Sequence, residues 1–116
     1  MSGDLLKDRD LNVNPFQPHE VVIVGVVSIE TAIEANDRQL VVELLDATAR
    51  ALYEMRVSER YSPIELATYG LSAGRVMSKI DPLTIPSATA ARFTRQTALS
   101  LLPAALLGKR NPGVST

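Results

Sequence analysis

An apolar stripe with a single helical period runs from Glu20 to Arg56 and limits what this chain can fold into. Steps of about 3.6 residues from Val22 meet Val26, Ile29, Ile33, Asn36, Leu40, Leu44, Ala47, Ala51 and Met55. Nine of these ten positions are apolar, and the phase holds across the polar patch Asn36-Asp37-Arg38. The period belongs to a helix; a strand would alternate every second residue. The eleven-residue spacing of Val22, Ile33, Leu44 and Met55 favours a nearly straight one. Read as one helix, residues 20–56 extend roughly 55 Å, beyond the roughly 35 Å diameter of a compact domain of this length. The stripe therefore predicts an elongated, mainly α-helical protein with apolar surface left over for another chain.

One segment of the stripe has a competing reading. Val21–Val27 is rich in β-branched residues, which suit a strand. No second convincing strand is present to pair with it, and an unpaired strand leaves its ladder unsatisfied. The unbroken phase favours helix. On the strand reading the helix begins instead at Asn36, which forms a capping-box pattern with Gln39. A second apolar row, Val41, Leu45, Thr48, Leu52 and Met55, widens the buried arc of the later half.

Before the stripe, residues 1–19 read as an extended arm. Pro15 and Pro18 enforce extended geometry around Phe16, which stands out as an anchor for a neighbouring surface. Pro18 and Glu20 suit the first turn of the helix. After it, Ser62-Pro63-Ile64-Glu65 carries the strongest local signal: N-cap serine, proline at the first helical position and glutamate at the third. A short helix is expected to end at Gly70, and a second to open at Leu71-Ser72 and stop at Asp81-Pro82, giving a hairpin over 63–80. A C-terminal helix is expected over 88–102, with Ala91, Thr94, Ala98, Leu101 and Leu102 on its apolar face. A tail follows over 103–116. The helical domain is thus 20–102.

Composition removes several kinds of chemistry. There is no cysteine, and His19 is the single histidine, placed on the surface by this reading. Disulfides, thiolate metal sites, cysteine nucleophiles and histidine pairs are excluded. Glu30 with Glu34, or Glu43 with Asp46, share helix faces, but carboxylates on an exposed helix are ordinarily solvated charge. Neither Gly-x-Gly-x-x-Gly nor Gly-x-x-x-x-Gly-Lys-Ser/Thr occurs. The expectation is a non-enzymatic protein without metal or cofactor. The longest apolar run, Val21–Val27, is far below the roughly 20 residues of a membrane span. Charges at Asp4, Lys7, Asp8, Arg9 and Asp10 do not suit a secretory signal. A cytoplasmic or virion location is expected.

Charge is divided unevenly. Residues 1–65 carry six Lys/Arg and twelve Asp/Glu, whereas 66–116 carry six Lys/Arg and one acid, Asp81. Such a split points to complementary contact, with nucleic acid or with an acidic protein surface. The leading expectation is a structural or adaptor subunit of an oligomeric assembly, for example a minor component of a viral particle or a ring complex. Its contacts would come from Phe16, Val22, Val26, Ile29, Ile33, Arg92 and Arg95, against identical or neighbouring subunits. The alternative rests on residues 66–80, LATYGLSAGRVMSKI, which resemble a helix-turn-helix: Gly70 at the turn, Val76 and Ile80 buried, and Arg75 and Lys79 as the basic residues facing DNA.

Overall fold

In the computed structural model, residues 16–110 are described and form four α-helices joined by short connections. These are α1 (Pro18–Glu34), α2 (Arg38–Ser58), α3 (Pro63–Met77) and α4 (Ser87–Arg110), with a single 3-10 turn at Pro82–Thr84. No strand occurs among the described residues. Most of the expected N-terminal arm, and the last six residues of the expected tail, lie outside them.

The segment 21–27 is helical, which settles the choice between helix and strand. Pro18 occupies the first turn, and the Gln17 N–H donates to Glu20 Oε1 at 2.8 Å, satisfying a donor the helix end leaves open.

The single long helix expected over 20–56 does not form. Asn36 takes a left-handed conformation, φ 60°. Its N–H donates to the Ile33 carbonyl, and the Asp37 N–H donates to that of Ala32, both at 3.0 Å. This six-to-one and five-to-two pair is the Schellman ending, and asparagine tolerates its left-handed position better than most residues. Asp37 then starts α2 by accepting the Leu40 N–H at 3.1 Å. The turn sends α2 back along α1, so the elongated shape expected of one helix is replaced by a hairpin.

The reversal also resets the phase. Ala32 and Val41 are core neighbours in sequence, two and a half turns apart at 3.6 residues each. Hence α2 buries the second row, Val41, Leu45, Thr48, Leu52 and Met55, while Leu40 is exposed and Leu44 only partly covered.

The capping box before α3 is present as expected: Ser62 Oγ accepts the Glu65 N–H at 3.1 Å and Glu65 Oε1 accepts the Ser62 N–H at 2.8 Å. Gly70 does not end the helix, however. Helix α3 passes through it without interruption, so there is no turn of the helix-turn-helix kind. Glycine is needed there for approach: a β-carbon at Gly70 would stand 2.9 Å from Ser100 Cβ and 3.3 Å from the Thr97 carbonyl oxygen.

Helix α4 is longer than the expected 88–102 and runs through Pro103. Its buried face is also not the expected one. Thr89, Phe93, Thr97 and Ser100 are buried, whereas Ala91, Thr94, Ala98 and Leu102 are exposed. Buried hydroxyls are tolerable here because Thr97 donates to the Thr94 carbonyl and Ser100 to that of Gln96, each at 2.8 Å.

The two hairpins lie side by side, α1 against α3 and α2 against α4, around a core in which Phe93, Ile29, Leu45, Leu52 and Met55 are fully buried. Helices α1 and α4 occupy opposite corners and share no extensive seam.

A candidate interaction surface

The acidic and basic halves of the sequence correspond closely to the two hairpins, and part of their complementarity is used within the chain. Glu30 on α1 pairs with Lys79 beyond α3, and Asp46 on α2 with Arg92 on α4, the latter at 2.9 Å. One pair lies on each seam between hairpins. Both are solvent-exposed, and such pairs are worth about 0–1 kcal/mol, enough to orient the hairpins but not to hold them.

The residues singled out from the sequence therefore separate. Val22 and Ile29 are fully buried under the chain's own helices, and Val26 and Ile33 pack against the same core. Arg92 and Lys79 are engaged in the two seam pairs. Arg75 and Arg95 are exposed, on α3 and α4. Phe16 is half exposed just ahead of α1. Arg75 and Lys79 do not project from a recognition helix, since α3 is continuous.

His19 is not an isolated surface group. Its Nδ1 lies 2.9 Å from Tyr61 Oη, and its ring centroid lies 5.9 Å from that of Tyr69, tying the start of α1 to the region where α3 begins. Two clefts lie elsewhere. One, about 220 Å³, is bounded by the α1–α2 turn and the connection after α3, with Asp37, Arg38, Lys79 and Asp81 at its rim. The other is an open groove of about 510 Å³ between α2 and α4, floored by the Asp46–Arg92 pair beside Tyr53. In both, the lining charges include both signs. Among the described residues no three His, Asp or Glu side chains gather to hold a cation, and no helix is long and apolar enough to cross a membrane.

What the sequence reading missed is the apolar surface that points outward. On α1, Ile23, Val24 and Val27 are 49, 50 and 58% exposed, on the side of the helix opposite Val22, Gly25 and Ile29. On α4, Leu102, Leu106 and Leu107 are half exposed. A signal for the first group was present: Val21–Val27 is apolar all round, so any helix there that buries one side must expose the other.

No family model matches the chain, nor does any curated protein or solved structure.

Proposed function

We propose that this protein is a non-enzymatic structural or adaptor subunit of a larger oligomeric assembly, held by helix-to-helix contacts. The outward apolar face of α1 carries the reading. Single exposed apolar side chains are ordinary, but Ile23, Val24 and Val27 fall within five residues of one helix whose inner side is already complete. Covering such a face removes apolar area from water at about 25 cal/mol per Å². A repeated particle or ring, viral or otherwise, is the kind of assembly that a small α-helical subunit of this design would serve.

Sedimentation velocity across a concentration series tests this. Average mass is expected to rise with concentration, and added salt is expected to weaken association more than it lowers the melting temperature. A monodisperse monomer at the highest concentration would overturn the reading.

A further inference from the structure

Two outward helix faces complement one another in charge, and they lie at opposite corners of the molecule. The face of α1 presents Ile23, Val24 and Val27, with Glu20 and Glu34 at its two ends, fourteen residues apart. The outward face of α4 presents Ala98, Leu102 and Leu106, with Arg95 at one end. Fourteen residues beyond Arg95, the sequence carries its next positive charge at Lys109. On α1 that separation is about 21 Å at 1.5 Å per residue. Apolar side chains thus stand between the charges on each face, Ile23, Val24 and Val27 on α1 and Ala98, Leu102 and Leu106 on α4.

We infer that the outer face of α1 docks on the outer face of α4 of a second copy of this chain. The inference rests on the assembly reading above and names its contact. Like faces do not serve: α1 on α1 sets glutamates against glutamates, and α4 on α4 sets arginine against arginine, whereas α1 on α4 pairs opposite charges around an apolar centre. Because α1 and α4 are at opposite corners, one copy uses both faces at once with two different neighbours. The contact is head-to-tail, and it closes into a ring or continues as a filament.

A head-to-tail contact between unlike faces has a specific test. Val27→Glu blocks the α1 face and Leu102→Glu blocks the α4 face; both positions are half exposed, so the fold is retained, as helical circular dichroism and melting would verify. Ile23→Glu and Leu106→Glu are the second pair, should either first variant fail to fold. Each variant alone is expected to be monomeric where the parent associates. Mixed in equal amounts they are expected to form a dimer of one copy each, because the Leu102→Glu chain keeps an intact α1 face and the Val27→Glu chain an intact α4 face. The mixture is measured up to about a hundredfold above the parent's midpoint, which allows for the avidity a closed ring adds. Variants that associate like the parent, or a mixture that stays monomeric while the parent associates, would overturn this contact and leave the assembly reading standing. A monomeric parent would overturn both.

Discussion

A β-carbon added to Gly25 would lie 2.2 Å from the hydroxyl oxygen of Thr48, so α1 and α2 meet at a point with room for hydrogen only. Thr48 is fully buried, and its oxygen has no hydrogen-bond partner. Gly25→Ala sets about 1 kcal/mol of improved helix propensity against about 1–3 kcal/mol of overpacking. A net loss of up to about 2 kcal/mol is expected by urea unfolding. In a Thr48→Ala background the nearest remaining atom is Cβ at 3.5 Å, an ordinary contact. The loss should therefore vanish there. If Gly25→Ala costs the same in both backgrounds, the two residues are not coupled and the close approach is not what glycine serves.

Gly70 gives the opposite result under the same design. Its close neighbour is Ser100 Cβ, which is anchored to the α4 backbone, followed by the Thr97 carbonyl oxygen. Ser100→Ala keeps that β-carbon, so it should not rescue Gly70→Ala. After the same gain in helix propensity, the substitution is expected to cost up to about 2 kcal/mol in either background. Rescue by Ser100→Ala would show that the hydroxyl, not the helix spacing, sets the limit.

Glu59 closes α2 in a left-handed conformation, φ 60°, where glycine is the usual occupant. A residue with a β-carbon gives up about 1 kcal/mol or more in that region. Glu59→Gly should raise the melting temperature by a few degrees, after a small loss from the freer unfolded chain. A lowered melting temperature would mean the glutamate side chain supplies an interaction that outweighs the strain.

Where the sequence was legible, the signal was local chemistry. Ser62, Pro63 and Glu65 announce a helix start because hydroxyl, ring and carboxylate each meet a need of the first turn. The break at Asn36-Asp37 was hidden because the apolar row continues through Leu40 and Leu44 on the far side, although the reversal makes those positions outward or half-covered. Helix α4 was misread in phase because its buried positions include Thr89, Thr97 and Ser100, while alanines and Leu102 lie outside. Polarity ranks serine and threonine as surface residues, but close helix approach selects for small size, and an own-helix carbonyl satisfies Thr97 and Ser100. The outward faces of α1 and α4 follow only once the inward ones are known, and the inward ones depend on where the chain turns.

The phase reset at Asn36-Asp37 can be measured directly on α2. An uninterrupted helix would bury Leu40 and Leu44 along with Leu45; the hairpin buries Leu45 completely and leaves Leu40 exposed. Leu45→Ala removes a side chain with no solvent contact and leaves a cavity in the core, for which about 2–5 kcal/mol is the usual cost. Leu40→Ala removes atoms already half in water, and the alanine is a better helix former, so its effect should stay below about 1 kcal/mol. Leu44→Ala should fall between them, since its side chain packs against the edge of the core. The ordering Leu45, Leu44, Leu40 in unfolding free energy is the expected outcome. Leu40→Ala as costly as Leu45→Ala would put the stripe back on one continuous helix, with its partner on another chain.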